Sequence, residues 1–180
     1  DVISKIALAG MRVMPGRMEF IDPPVGGRKN FQVLVDYAFL PQTLKLAYET
    51  AKKNSASLIC VLGAAGGGRD KWKRPKLGSV AAENCRKVFI TNEDPYDEDP
   101  NQILSEIKSG ISNSQFLISN VREILDRREA IREAIKSAKP NDTVVITGKG
   151  AEPWIMGPNG TKVPWDDREV VREELKKLEK

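Results

Sequence analysis

The sequence predicts an α/β fold, a Rossmann-like, doubly wound and mostly parallel sheet with helices on both faces. Three observations carry that prediction. Strand-length apolar runs alternate with segments of helical periodicity. The runs LICVL (58–62) and TVVIT (143–147) are continuous, as strands covered on both faces are, and do not alternate polar with apolar. The connections between them are short and rich in Gly, Asp and Pro. At 180 residues, 40% of them hydrophobic, the chain suits one packed domain and is too short for two.

The elements follow in order. Residues 31–37 (FQVLVDY) are rich in β-formers. Residues 41–53 read as a helix, with Pro41 at its first position and Leu40, Leu44, Ala47, Tyr48 and Ala51 as its apolar stripe. After strand 58–62 comes a glycine-rich stretch, 63–68, that runs into Arg69-Asp-Lys-Trp-Lys-Arg-Pro; Cys85 then falls at a helix end. Residues 87–91 form the next strand. A helix opens at Asp99 as N-cap with Pro100 behind it, and Gly110 suits its stop. Another opens at Asp126, with Glu129 at the capping-box position and Ile131, Ala134, Ile135 and Ala138 as its stripe. Strand 143–147 ends in Gly148-Lys149-Gly150, and a last amphipathic helix follows Asp166, with Glu169 three residues on. Residues 21–30, with Pro23, Pro24, Gly26 and Gly27, read as a loop or hairpin.

Composition narrows the chemistry. The chain has no His, which removes His-based triads, His metal ligands and the usual near-neutral general base. The net charge of +4 is mild, and both signs are mixed along the chain. One local excess stands out: Arg69, Lys71, Lys73, Arg74 and Lys76, suited to anionic small molecules, phosphates or nucleic acid. The two cysteines, Cys60 and Cys85, read as reduced, structural thiols of a cytoplasmic protein. No apolar run approaches a membrane span, and the N-terminus lacks a signal-peptide layout. The chain begins at Asp1, not Met, and reads as a fragment or a processed chain.

Parallel sheets bind ligands at the carboxyl ends of their strands. Four segments should therefore meet on one rim: Asp36-Tyr37, the glycine- and Arg/Lys-rich loop, residues 91–96, and residues 148–152. Each has two readings. Asp36 could hold a ribose hydroxyl or cap a turn. The loop 63–75 could grip an anion or be a solvated surface loop; it lacks the G-x-x-x-x-G-K-[ST] ending of a phosphate loop. The acidic run Thr91-Asn-Glu-Asp-Pro-Tyr-Asp-Glu-Asp-Pro could meet a cationic ligand or metal, or serve a helix N-terminus, the reading preferred for Glu98 and Asp99. Trp72, Trp154 and Trp165 could stack on a base or anchor loops.

In order, Met14-Pro-Gly-Arg-Met-Glu, Val35-Asp-Tyr-Ala, Gly66-Gly-Gly-Arg-Asp-Lys-Trp-Lys-Arg-Pro, Thr91-Asn-Glu-Asp-Pro with Glu98-Asp-Pro, Asp126-Arg-Arg-Glu-Ala-Ile and Gly148-Lys-Gly-Ala-Glu form one pattern. It resembles the C-terminal domain of the Mur ligases of peptidoglycan synthesis, in the branch that adds a diamino acid to UDP-N-acetylmuramoyl-L-alanyl-D-glutamate. The resemblance covers residues 13–180 and leaves 1–12 as the remnant of a preceding domain or linker. It implies a reaction in which ATP activates a carboxylate as an acyl phosphate, which the incoming amine attacks. It places Arg17, Asp36 and Tyr37 at ATP. It places Arg69, Lys73, Glu93, Asp94, Pro95, Tyr96, Gly148 and Glu152 around the amino acid. No catalytic residue and no metal ligand is expected in this domain. Mg²⁺ ligands and the phosphate loop belong to the central domain, so this chain alone is expected not to catalyse ligation. The implied partners are UDP-MurNAc-dipeptide, a diamino acid, and the central and N-terminal domains of the parent, with no nucleic acid or membrane. A non-catalytic binding module and a folate- or cyanophycin-type ligase remain the alternatives.

Three positions depart from the family pattern. Phe39 and Leu40 stand where Asp-Tyr-Ala-His-Thr-Pro has His and Thr. Ala151 replaces the His of Gly-Lys-Gly-His-Glu. Glu93-Asp94-Pro95-Tyr96 replaces Asp-Asn-Pro-Arg, the diaminopimelate pattern. Tyr96 lacks the cation that would pair a distal carboxylate, and its neighbours are acidic, so an L-lysine-like amino acid is expected over meso-diaminopimelate.

Overall fold

The two continuous apolar runs occupy the positions that covering on both faces requires. In a computed structural model that describes residues 14–21, 30–112 and 118–178, β3 (Leu58–Leu62) and β6 (Thr143–Thr147) pair in parallel at the centre of a six-stranded sheet. Every residue of both strands is buried. β2 (Gln32–Asp36) flanks β6, and β4 (Lys87–Ile90) flanks β3, both parallel to them. Short edge strands close the sheet, with β1 (Glu19–Ile21) antiparallel to β2 and β5 (Val121–Glu123) parallel to β4. The order is β1-β2-β6-β3-β4-β5.

Side chains alternate across each strand and build two cores. Leu34, Cys60, Leu62, Val88, Ile90 and Val145 face one layer of helices: α1 (Pro41–Lys52), α2 (Lys73–Asn84) and α3 (Pro100–Ser112). Val33, Val35, Ile59, Val61, Phe89, Val144 and Ile146 face the other: α4 (Arg127–Lys136) and α5 (Asp167–Lys177). This is the doubly wound arrangement read from the sequence. The expected caps hold. Asp99 Oδ1 accepts from Asn101 N, Asp126 Oδ1 from Glu129 N, and Asp166 Oδ1 from Arg168 N. No helix among the described residues is long and apolar enough to cross a membrane.

Several expectations are corrected. Gly110 does not end its helix; it lies inside α3, where a Cβ would stand 1.7 Å from the Pro75 carbonyl oxygen of α2. The glycine is there for helix–helix approach. The basic loop is shorter than read, because α2 begins at Lys73 and buries both Lys73 and Arg74. The cysteines are not reduced: Cys60 and Cys85 form a disulfide, with Cα atoms 6.0 Å apart. The β3-α2-β4 crossover brings them together. Arg86 N, next to Cys85, donates to the Leu58 carbonyl and lays the chain beside β3. β1, β5 and the antiparallel hairpin of β7 (Trp154–Met156) and β8 (Lys162–Pro164) were not foreseen. At three residues each they are too short to show a period of two. The boundary between residues 1–12 and 13–180, and most of the loop read at 21–30, lie outside the described residues.

Candidate functional site

The strand register levels the carboxyl ends. Asp36 is opposite Thr147, and Leu62 is opposite Ile90. The loops that leave these ends are tied to one another. Gly148 N donates to Asp36 O at 3.3 Å, and Gly66 N to Asp94 O at 2.7 Å. Arg127, at the start of α4, reaches under the rim and donates to the carbonyls of Asn92 (3.1 Å) and Thr147 (2.9 Å). All four segments predicted to converge do so.

At one end of the rim lie Arg17, Asp36 and Tyr37. Both Asp36 carboxylate oxygens are engaged, Oδ2 by Met18 N and Oδ1 by Ala38 N, each at 2.7 Å. The turn-capping reading of Asp36 is therefore realised, and the residue also lines a cavity of about 300 Å³ with Arg17, Tyr37, Phe39 and Thr43. The exposed Arg17 guanidinium sits 4.2 Å from the Tyr37 ring centroid. Phe39 packs edge-on to Tyr37, with centroids 5.2 Å apart. Tyr37 Oη donates to Glu152 Oε1 at 2.7 Å. Burial, then that hydrogen bond and the carboxylate charges of Glu152 and Glu93, push the phenol up to about 12. The donor set suits a nucleotide: an exposed cation for phosphate, aromatic rings for a base and a carboxylate for a hydroxyl.

At the other end are the residues expected to meet an amino acid. Arg69 is exposed, its guanidinium 5.7 Å from the Tyr96 ring centroid. Lys73 is buried, with its ammonium 5.0 Å from the Phe39 ring. That places Lys73 between the two groups. Pro95 is buried and Tyr96 half-buried, with φ +51° and its N–H donated to the Met156 carbonyl at 3.2 Å. Asp94 is fully committed, taking Lys149 on both oxygens and Met156 N on Oδ1. Glu93 differs. It is 4% exposed, and its Oε2, pointed at Gly148, has no hydrogen-bond partner among the described residues. Burial first, opposed by Arg127 and reinforced by Asp94, raises its carboxyl to about 7.

The sequence reading quoted Lys149 and Arg127 within motifs without a site role, counted Arg74 in the basic excess suited to anions, and read Glu98 as serving a helix N-terminus. Lys149 joins Asp94 to Glu152. Arg74, fully buried, donates to Glu98, Glu106 and the Ala65 carbonyl, while Glu98 Oε1 accepts from Gly68 N. The Gly68 hydrogen bond, with Lys71 and Arg74 beside it, holds the Glu98 carboxyl down at about 2. Of the basic excess, Arg74 thus serves buried ion pairs and Lys71 pairs with Glu98, while Arg69, Lys71 and Lys76 are exposed. The tryptophans divide. Trp165 Nε1 donates to Asp167 and anchors a loop, whereas Trp72 and Trp154 are exposed. No cluster of three or more His, Cys, Asp or Glu side chains among the described residues is arranged to hold a metal ion.

The class is thus an α/β domain built on a doubly wound sheet, with its candidate residues gathered at the strand termini. The family model "Mur ligase, glutamate ligase domain" matches residues 16–150, and the chain belongs to that family. It is 42% identical over 161 residues to the UDP-N-acetylmuramoyl-L-alanyl-D-glutamate–2,6-diaminopimelate ligase of Synechococcus elongatus, covering 88% of this chain and 30% of that protein. A solved structure of a ligase of the same name superposes with a TM-score of 0.80 at 34% identity, over 94% of this chain and 33% of that one. Folylpolyglutamate synthase of Mycobacterium tuberculosis shares the fold, with a TM-score of 0.54 at 20% identity over 76% of this chain and 30% of that one. The chain thus spans about a third of the length of the curated relatives it matches.

Proposed function

We propose that this chain is the nucleotide- and amino-acid-binding domain of a cytoplasmic, ATP-dependent ligase that adds a diamino acid to UDP-N-acetylmuramoyl-L-alanyl-D-glutamate. The observation that carries the reading is the single rim on which Arg17, Asp36 and Tyr37 adjoin Glu93, Asp94, Gly148 and Glu152 through direct contacts. Family membership and the names of the relatives support it. Activation of the terminal carboxylate as an acyl phosphate is the chemistry that ATP supplies. In this reading, Arg17 meets the phosphates, and Asp36, held rigid by two backbone N–H groups, meets the ribose. Arg69 grips the carboxylate of the amino acid, and Lys73, Tyr96 and Glu152 complete its pocket. Mg²⁺ is assigned to the parent's central domain. The test is phosphate release by the full-length protein with ATP, Mg²⁺, UDP-MurNAc-dipeptide and a diamino acid. Release that depends on the amino acid is expected from the full-length protein and not from this chain alone. Turnover by this chain, or none by the parent, overturns the reading.

For the amino acid itself we propose a basic side chain such as that of lysine, because Tyr96 offers a neutral hydroxyl where a distal carboxylate would need a cation. The structure trims the argument: Asp94 is neutralised by Lys149 and is not open to an ammonium, which leaves Glu93. A second reading, diaminopimelate, is favoured by Arg69 lying beside Tyr96 and is the substrate in the names of the relatives. The ratio of kcat/KM for the two amino acids separates them. A preference of about tenfold for diaminopimelate, equivalent to ~1.4 kcal/mol, sinks the lysine reading. Tyr96→Arg is expected to move the ratio toward diaminopimelate.

A further inference from the structure

The Lys149 ammonium is the hub of the rim. It donates to Asp94 Oδ1 at 2.8 Å, Asp94 Oδ2 at 2.9 Å and Glu152 Oε2 at 2.6 Å. Each carboxylate is held at a second point: Met156 N donates to Asp94 Oδ1 at 2.8 Å, and Tyr37 Oη to Glu152 Oε1 at 2.7 Å. An ammonium has three protons. With three acceptors engaged and the side chain 1% exposed, Lys149 has nothing left to offer a ligand. Glu152, with its side chain 37% exposed, is the member of the group that faces outward.

The flanking glycines explain how a lysine comes to point inward at a strand end. Gly148 has φ +110° and Gly150 φ +54°, conformations that L side chains rarely adopt. A Cβ on Gly148 would stand 2.3 Å from Glu93 Oε2, and one on Gly150 would stand 2.7 Å from the Gly16 carbonyl oxygen. The two left-handed glycines thus let the backbone around Lys149 turn its side chain toward Asp94 in the β4 loop. Electrostatics requires a cation there. Glu93 and Asp94 from the β4 loop and Glu152 from the β6 loop surround it, and carboxylates that lose their counter-ion in such a place repel or take up protons.

We propose that Lys149 is a positioning residue of this site. By cross-linking the β4 loop to the β6 loop, with Asp94 as its anchor, it fixes the outward-facing Glu152 carboxylate in the geometry that receives the amino acid. This rests on the ligase reading above. Lys149 acts through Asp94 and Glu152 and makes no contact of its own with the ligand. The Tyr37–Glu152 hydrogen bond carries the same constraint to the nucleotide end of the rim.

The experiment is steady-state kinetics of the full-length ligase with Lys149→Met and Lys149→Arg, with folding checked by circular dichroism and a cooperative melt. Lys149→Met is expected to lower kcat/KM for the amino acid on the order of 100-fold, chiefly through KM. KM for the UDP-dipeptide should stay within about twofold of wild type, because the proposal gives these loops to the amino acid alone. Lys149→Arg keeps the charge but brings a longer, planar fork into a closed slot, so KM for the amino acid stays raised. In Lys149→Met the acid limb of the kcat/KM profile moves to higher pH, because Lys149 is among the charges that hold the buried Glu93 down. A folded variant of either kind with wild-type KM for the amino acid overturns the proposal. Loss of the fold in both variants overturns it as well, by making the lysine a structural partner only. A wild-type parent without amino-acid-dependent phosphate release overturns the ligase reading instead, which keeps the two failures apart.

Discussion

Replacing Arg127 with Met leaves its slot filled with methylenes and removes one guanidinium. Arg127 is 2% exposed, and its guanidinium faces Asp167, which is fully buried. It donates to Asp167 twice, from Nε to Oδ1 at 2.8 Å and from Nη2 to Oδ2 at 2.7 Å, and also to the carbonyls of Asn92 and Thr147. Removing one partner of a buried pair costs roughly 3–5 kcal/mol, because the other charge stays behind. The two carbonyls add ~1 kcal/mol or more each if nothing replaces the donor. Against that, Trp165 Nε1 still serves Asp167 Oδ1 at 2.8 Å, and the penalties overlap. The expected loss is about 4 kcal/mol, a large share of the 5–15 kcal/mol typical of a domain. The assay is urea denaturation of the 180-residue chain followed by far-UV circular dichroism, for wild type, Arg127→Met, Asp167→Leu and the double variant. The double variant should be more stable than Arg127→Met, since it removes the stranded charge. A loss below about 1 kcal/mol, the scale of a surface ion pair, refutes the reasoning. So does a double variant at the sum of the two single losses.

Glu93→Gln tests the buried carboxyl. Its folded value, raised from 4.5 to about 7, means the native state binds this proton more tightly than the unfolded chain does. The contribution is fully present below about pH 4.5 and is lost as pH rises through 7, by up to ~3 kcal/mol. Glu93→Gln should therefore be the more stable protein at pH 8 and show a flatter profile; matching pH profiles of urea midpoints would discount the burial argument. Gly110→Ala sets helix propensity, worth ~1 kcal/mol in favour, against a Cβ 1.7 Å from a backbone oxygen on α2. The clash should win by ~1–3 kcal/mol, and a raised melting temperature would contradict it. Reduction with dithiothreitol should lower the melting temperature, because the Cys60–Cys85 bond closes a 25-residue separation worth roughly 3 kcal/mol. Two free thiols in the untreated native chain, counted with a thiol reagent, would contradict the bond.

What could be read beforehand follows a physical line. The sheet core was legible because β3 and β6 are apolar without interruption, and parallel central strands have no other way to be soluble. The caps at Asp99, Asp126 and Asp166 were legible because capping is local chemistry between near neighbours in the chain. Gly110 was misread for the complementary reason. A glycine that stops a helix and a glycine that admits a second helix look alike until the partner, Pro75, is in view. The same limit hid the disulfide, whose partners meet only through the crossover.

The candidate site divides along that line too, and the division bears on how such a rim works. Residues proposed to face a ligand, such as Arg69 and Tyr96, follow strand ends and could be placed by topology and motif, and Arg17 by motif alone. Residues that hold the rim could not. Lys149 and Arg127 belong to the quoted motifs, yet their partners lie far along the chain: Asp94 is 55 residues from Lys149, and Asp167 is 40 from Arg127. A charge of this kind reads as a solvated side chain until the fold buries it. Two glycines flanking a lysine at a strand end were the one local signal, since they let the backbone turn the side chain inward. Buried cations under a ligand rim do more than stabilise. Arg127 fixes the carbonyls from which the β4 and β6 loops depart, and Lys149 fixes the carboxylates those loops carry. On the proposed reading, the geometry offered to the amino acid is thus set by two cations that the ligand does not touch. Changes in substrate choice within such a domain can therefore arise beneath the pocket as well as on its surface.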